Sequence, residues 1–296
     1  MGRRDAQAVT RIPIALTIAG SDSGGGAGVQ ADLRTFAALG VYGASAITAL
    51  TAQNTRGVRA IHLVPTEIVA AQIEAVLEDF EVAAVKIGML GGADIARTVA
   101  EALAGLPSPL AGESLPVGEV PGEARARPFI VYDPVMTASC GDSLSGADLI
   151  GAVRAELLPL VDCLTPNLGE AARLAGLPRA MSEAEMTSQG RALLALGPRA
   201  VLMKGGHLAG DEAVDLLVAP DAVHRFAAPR VDSINLHGTG CTLSSAVAAY
   251  RILGMPLAEA VGAAKAFVRE AIERARAVEL GAGSGPLLQT GLKPAR

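Results

Sequence analysis

The stretch Ile14-Ala15-Leu16-Thr17-Ile18-Ala19-Gly20, followed by Ser21-Asp22-Ser23-Gly24-Gly25-Gly26-Ala27-Gly28, decides how the rest of the chain is read. Its first seven residues form a short apolar run, the pattern of a strand buried on both faces. Polar residues and glycines then interrupt it. Directly afterwards Val29, Leu33, Phe36 and Ala37 recur at helical spacing. A strand, a glycine-rich loop and a helix in that order open an α/β protein.

The same alternation continues outward. Apolar runs predict strands at 42–50, 82–88, 129–132, 161–165 and 200–204, then at 213–218 and 223–227. Between them lie helical patterns. Thr66 is an expected N-cap for a stripe of Val69, Ile73, Val76, Leu77 and Phe80. Further helices are expected at 94–104, 147–158, 167–175, 183–196, 240–253 and 257–279, with Ser182 and Glu185 as a capping box. Such alternation predicts one α/β domain over 13–281, with a mainly parallel sheet flanked by helices on both faces. Residues 1–12 read as a leader and 282–296 as a C-terminal tail. The segment 105–128 carries Pro107, Pro109, Pro116, Pro121 and Pro128 without periodicity, and reads as a long surface loop. Ligands of open parallel sheets bind at the carboxyl ends of the strands, so motifs at strand ends carry the most weight.

Composition removes several function classes. Half of the 296 residues are apolar and 19% are charged, which excludes general disorder. Lys and Arg number 25 against 30 Asp and Glu, and no basic run suggests a nucleic-acid or membrane surface. Aromatic residues are 3% and tryptophan is absent, too few rings for single-strand stacking. The three cysteines, Cys140, Cys163 and Cys241, lack Cys-x-x-Cys spacing, against both a disulfide framework and a zinc site. A reducing, cytoplasmic setting is the expectation. No apolar run closely follows Met1-Gly2-Arg3-Arg4-Asp5, which argues against a signal peptide. Mean hydropathy is +0.38. The uncharged stretch Thr35 to Thr55 is nevertheless too polar to span a bilayer and reads as buried soluble structure.

Six places carry possible chemistry. The loop 20–28 lets a ligand approach the backbone at a helix N-terminus, which favours anions; the alternative is a tight turn. It lacks the acid about 20 residues on that a dinucleotide fingerprint requires, and the Gly-Lys-Ser/Thr of a P-loop. His237-Gly238-Thr239-Gly240-Cys241-Thr242 opens a helix, and its free N–H groups suit a phosphoryl group in flight. There the helix dipole is expected to lower the Cys241 thiol pKa, unless the residue is simply a small buried cysteine. In Thr165-Pro166-Asn167-Leu168-Gly169-Glu170, Glu170 either closes a capping box with Asn167 or lies near Mg²⁺ and phosphate. Lys204 ends a strand before Gly205 and Gly206, as a phosphate contact or a solvated strand-end lysine. Asp133 ends another strand, serving Mg²⁺ or starting a turn. Lys265 interrupts an apolar helix stripe, either snorkelling to water or serving a site, whereas Lys86 reads as half of a structural ion pair. His62, His207, His224 and His237 show no metal-ligand spacing. No Gly-x-Ser-x-Gly elbow supports a hydrolase.

The order of these motifs resembles the hydroxymethylpyrimidine/phosphomethylpyrimidine kinases of thiamine biosynthesis, within the ribokinase-like group. The resemblance rests on 19–32, Ala-Ile-Thr-Ala-Leu-Thr-Ala-Gln-Asn-Thr (46–55), Lys-Ile-Gly-Met-Leu (86–90), Asp-Pro-Val-Met (133–136), 165–170, Leu-Met-Lys-Gly-Gly-His (202–207) and 237–242. It spans about residues 14–280 apart from the proline-rich loop. It implies transfer of the ATP γ-phosphoryl to the 5-hydroxymethyl group of 4-amino-5-hydroxymethyl-2-methylpyrimidine, then a second phosphorylation to the diphosphate. By position it implies a pyrimidine pocket at Gly20, Asp32, Gln53, Met89 and Val135. Gly238, Thr239, Gly240 and Cys241 would form the anion hole, with Cys241 as base. Lys204 and Lys265, with Thr239, would serve ATP, and Asp133 and Glu170 would hold Mg²⁺. A homodimer is the usual assembly of such relatives, and the uncharged stretch 35–55 is a candidate contact. Some relatives carry a lysine where this chain has Ser139. The rival readings are a pyridoxal kinase on the same fold and a non-catalytic pyrimidine-binding module.

Overall fold

The computed structural model describes residues 11–106, 127–136, 147–206 and 208–291. The core of the leader, most of the proline-rich loop, Ser139, Cys140 and His207 lie outside these residues. Within them run β1 (Ile14–Asp22), α1 (Gly28–Ala38), β2 (Tyr42–Asn54), β3 (Gly57–Leu63), α2 (Thr66–Asp79), β4 (Val82–Ile87), α3 (Ala93–Ala104) and β5 (Phe129–Tyr132). Then follow α4 (Ala147–Ala152), β6 (Cys163–Leu164), α5 (Leu168–Ala175), α6 (Glu183–Leu194), β7 (Ala200–Lys204), β8 (Glu212–Val218), β9 (Val223–Pro229), α7 (Thr239–Ile252) and α8 (Leu257–Ala275).

The strands form one sheet in the order β3-β2-β1-β4-β5-β6-β7-β8-β9. The six strands from β2 to β7 in that order are parallel, and antiparallel pairings add β3 at one edge and β8 and β9 at the other. Alternate side chains divide between two cores, as the strand period requires. Ile130, Tyr132, Val201 and Met203 join the layer of α2 to α6. Val131, Ala200 and Leu202 join the layer of α1, α7 and α8. On that second face alanines stand among larger residues such as Phe36, Val131 and Leu202. Ala15, Ala84 and Ala200 of the sheet share a cluster with Ala246, Ala248 and Ala249 of α7. Every residue from Cys241 to Ala249 is buried, so α7 lies inside the molecule rather than on it.

Several boundaries differ from expectation, each for a physical reason. β3 was not anticipated: it is an edge strand, exposed at most positions, and is held by antiparallel pairing across the Thr55-Arg56 turn. Helix α2 is capped by Pro65 and Thr66 is its first residue, because the Pro65 carbonyl accepts from Ile68 and Val69. The helix expected at 147–158 leaves α geometry after Ala152, with a π turn at Val153–Leu157 and a 3₁₀ turn at Leu158–Leu160. Pro159 has no N–H to continue the ladder. The strand expected at 161–165 pairs only over Cys163–Leu164. The stretch 35–55 is not uniformly buried, since Tyr42 and Leu50 are about half exposed. The supposed tail is also corrected: Leu287 is fully buried and Gln289 nearly so, which extends the folded body to residue 289 at least. Ser182 caps α6 by accepting from the Glu185 N–H, but the expected box is only half formed, since the Glu185 carboxylate accepts the Met181 N–H instead of that of Ser182. Among the described residues no helix is long and apolar enough to cross a membrane.

Candidate active site

The strand order reverses between β1 and β4, and open α/β sheets place their ligand crevice at the carboxyl ends there. Two glycine-rich turns meet at this point. The first, after β1, is organised by Asp22. One carboxylate oxygen accepts the Gly24 N–H at 2.8 Å; the other accepts Gly26 at 3.0 Å and Ala27 at 2.9 Å. His237 Nε2 stands 2.9 Å from that second oxygen. Burial alone would raise the Asp22 pKa, but the His237 contact and the Gly24 and Ala27 N–H groups outweigh it and hold the carboxyl below its usual value.

His237 begins the second turn, which leads into α7. Gly238 sits in the left-handed region at φ 88°. A Cβ on it would stand 1.9 Å from the Gly26 carbonyl oxygen, so the turns touch through bare backbone. Gln53 of β2 closes the contact from the other side, its Nε2 3.3 Å from His237 Nε2. Neither Asp22 nor His237 was among the expected site residues. The signals were present: an acid within the glycine loop and a histidine directly before Gly-Thr-Gly.

A charged cluster lies against the second turn. A Cβ on Gly240 would be 3.1 Å from Lys204 Nζ and 3.3 Å from Asp133 Oδ2. Lys204 is no solvated strand-end lysine. Its side chain is 13% exposed, 2.6 Å from Asp133 and 4.0 Å from Glu170. Glu170 takes the capping reading, and its side chain also lies beside Lys204. It accepts the Asn167 N–H at 2.7 Å, completing the capping box of α5, and it faces Lys204. Burial pushes its carboxyl up to about 7; Lys204 pulls it down and Asp133 pushes it further up. Two buried carboxylates thus share one ammonium. That leaves a formal negative charge, the donor set by which Mg²⁺ is commonly held through one or two carboxylates, water and phosphate. Among the described residues no cluster of three or more His, Cys, Asp or Glu side chains forms a dedicated metal cage.

Two expectations are corrected here. The helix dipole does not lower the Cys241 pKa. Burial pushes the thiol up to about 11, against the pull of Lys86 and the Gly28 N–H, with Asp32 and Asp133 adding to the rise. Asp32 does not line an open pocket. It is fully buried, accepting from Lys86 (2.8 and 2.9 Å), Thr17 (2.6 Å) and Ser245 (2.8 Å). Lys86 is therefore the structural ion-pair residue expected, and Asp32 is its partner. Together they tie β1, β4, α1 and α7 beneath the second turn.

The remaining expected residues divide by place. Gly20 and Met89 meet at the ends of β1 and β4, where a Cβ on Gly20 would be 2.5 Å from Met89 Cε. Val135 lies two residues past Asp133 and its N–H bonds the Asp133 carbonyl at 2.8 Å. Lys265 is 2.6 Å from Asp215, whose other oxygen accepts the Gly205 N–H at 3.0 Å. Its ammonium therefore abuts the turn that follows Lys204. Beside it, Phe226, Gly262, Ala266 and Arg269 line a groove of about 450 Å³ between β9 and α8.

Comparison with known proteins agrees with this geometry. The family model described as phosphomethylpyrimidine kinase matches residues 22–110 and 119–288. The hydroxymethylpyrimidine/phosphomethylpyrimidine kinase of Rhizobium meliloti is 50% identical over 274 residues, covering 93% of this chain and 96% of that protein. Among solved structures, phosphomethylpyrimidine kinase from Clostridium difficile is 41% identical with a TM-score of 0.72, covering 88% of this chain and 99% of that one. An ADP complex of Bacillus subtilis pyridoxal kinase superposes with a TM-score of 0.80 at 31% identity, covering 94% and 98%. The fold is ribokinase-like. With two glycine turns, the lysine–carboxylate cluster and a match over most of its length, the chain belongs to the phosphomethylpyrimidine kinase family.

Proposed function

We propose that this chain is an ATP-dependent kinase. It phosphorylates 4-amino-5-hydroxymethyl-2-methylpyrimidine and then the resulting monophosphate to the diphosphate, a step of thiamine biosynthesis. The observation that carries this reading is the approach of the Gly238–Cys241 turn to Lys204 and Asp133, so that N–H donors, a cation and an acid meet at one point. In each transfer the bond from the γ-phosphorus to the bridging oxygen of ATP breaks, and its electron pair leaves with ADP. A bond forms from the same phosphorus to the substrate oxygen: in the first transfer the hydroxymethyl oxygen, which sheds its proton to solvent, and in the second an anionic oxygen of the monophosphate. Phosphoryl transfer passes through a loose transition state, so positioning and charge neutralisation carry the catalysis.

The N–H groups of Gly240 and Cys241 receive the transferring group, while the Thr239 N–H is held by the Leu236 carbonyl at 3.3 Å. Lys204 neutralises its oxygens, and Lys265 serves the nucleotide end. Asp133 and Glu170 would hold Mg²⁺, which supplies further neutralisation of phosphate charge. Gln53 pairs with the aminopyrimidine edge, its amide offering both donor and acceptor. Gly20, Met89 and Val135 shape the pocket. At a pKa of about 11 the Cys241 thiol is protonated at neutral pH, so its N–H rather than a thiolate base is the group this reading uses.

We further infer a cytoplasmic homodimer. The exposed apolar side chains Leu50, Ile61 and Leu63 at the β2–β3 edge support it, and sedimentation velocity tests it. The kinase test mixes purified protein, Mg-ATP and the hydroxymethylpyrimidine, with pyridoxal in a parallel tube, and follows products by mass. Mono- and then diphosphate are expected. Turnover of pyridoxal alone supports the rival vitamin B6 kinase, which the likeness to the Bacillus subtilis enzyme favours. No turnover with either leaves the binding module.

A further inference from the structure

The segment Gly281-Ala282-Gly283-Ser284-Gly285-Pro286-Leu287-Leu288-Gln289 follows the last helix and carries no group that reacts. It nevertheless touches both sides of the site. At its start the Gly283 N–H donates to Thr55 Oγ1 at 3.1 Å, at the tip of the β2–β3 hairpin two residues from Gln53. A Cβ on Gly283 would overlap the Thr55 carbonyl, so glycine is what lets the segment lie against the hairpin. In its middle it pairs with His237 on both backbone sides. The His237 N–H donates to the Gly285 carbonyl at 3.1 Å and the Leu287 N–H donates to the His237 carbonyl at 3.4 Å. At its end Gln289 Nε2 donates to Thr242 Oγ1 at 3.0 Å, both side chains buried.

His237 and Thr242 flank Gly238–Cys241 on either side. The segment is itself anchored to α8, through the Leu288 N–H to the Ala271 carbonyl at 3.1 Å and Arg274 to the Leu288 carbonyl at 3.0 Å. We propose that residues 281–289 are a positioning clamp. They hold both ends of the phosphoryl-binding turn and keep it in register with the substrate-side hairpin, with Gln289 as the positioning residue of the α7 end. The inference rests on the kinase reading for its effect on rate, but not for its effect on the turn. The turn presents the successive N–H groups of Gly240 and Cys241, and their aim matters most when charge develops on the transferring group. Loosening one end therefore lowers kcat more than it raises KM.

The test uses the full chain carrying Gln289→Leu, Thr242→Val, or both. Each single variant is expected to lower kcat about tenfold, with KM for ATP and for the pyrimidine within about twofold. The double variant should be no worse than either single one, because both remove the same hydrogen bond. Amide hydrogen exchange at Thr239–Cys241 should accelerate in both, while exchange in the central strands stays as in the parent. If Gln289→Leu fails to fold, Thr242→Val reads the same bond from its other side. Unchanged kcat with unchanged exchange at the turn, or losses that add in the double variant, overturns the clamp. A parent protein without turnover refutes the kinase reading instead, and the exchange data then judge the clamp alone.

Discussion

Replacing Gly238 with alanine tests whether the two glycine turns work as a fitted pair. The perturbation is one methyl group. At φ 88° an L-residue is strained by about 1–2 kcal/mol whatever its surroundings. The surroundings add more: the new Cβ would stand 1.9 Å from the Gly26 oxygen, where ordinary contact begins near 3.4 Å. The turns must part by about 1.5 Å, the difference between those distances. The Gly26 side has little freedom to retreat. Its N–H is held by Asp22, and a Cβ there would already overlap the His237 ring. Gly238–Cys241 is therefore the side that moves, which shifts it relative to Lys204. A misplacement of about 1 Å costs on the order of a hundredfold in rate. Steady-state kinetics should show kcat reduced at least a hundredfold, with KM for the pyrimidine little changed and a melting temperature a few degrees lower. Gly151→Ala, a helical site with open space around it, is the control and should match the parent. A Gly238→Ala enzyme within fivefold of parental kcat would refute the argument that contact between the turns sets the site.

Three further outcomes follow from the buried titratable groups. Glu170 is held up to about 7 in the fold, against 4.5 when free, so the folded protein binds its proton more tightly than the unfolded chain. The stability this contributes is complete below about pH 4.5 and is lost as pH rises through 7, a change of about 3 kcal/mol. Urea midpoints of the ligand-free protein in chelator should carry that decline, and Glu170→Gln, which keeps the capping box, should flatten it; equal slopes would disprove the assignment. Lys86→Met leaves Asp32 an unpaired buried charge and should cost about 3–5 kcal/mol of stability, much of it recovered in the double variant with Asp32→Leu. A loss below about 1 kcal/mol in chemical denaturation would remove this pair from the fold's stabilising set. Cys241→Ala should retain kcat within about tenfold with an unaltered pH profile, since a true general base contributes about 10²–10⁴. A thousandfold loss with a displaced profile would restore the thiolate to the mechanism.

Much of the architecture was legible because its causes are local. The run 14–20 and the helical stripe after Gly28 are decided by neighbours in sequence, and so is the Asn167–Glu170 cap. β3 was not legible, because an exposed edge strand has no buried face to impose a period and is held by its pairing with β2. The site separates along the same line. Lys204 and Asp133 stand at strand ends, which the alternation already placed on one side of the sheet. The Asp22–His237 contact spans 215 residues and joins two turns that each look self-sufficient. Asp32 was misplaced for a similar reason. It was placed in the pocket by resemblance alone, and its partner Lys86 lies 54 residues away in sequence.

The alanine face between α7 and the sheet sets a dimension as well as a packing. Ala246, Ala248 and Ala249 give the helix a small face within a cluster that also holds Val131 and Leu202 of the sheet, and the height of its first turn depends on that layer. A larger residue at Ala246 would act as a shim. It would lift the helix and with it the N–H groups at its tip, without touching any ligand. Activity in this enzyme is therefore expected to be sensitive to volume at positions deep in the second core, where a survey of the pocket lining alone would find nothing to change.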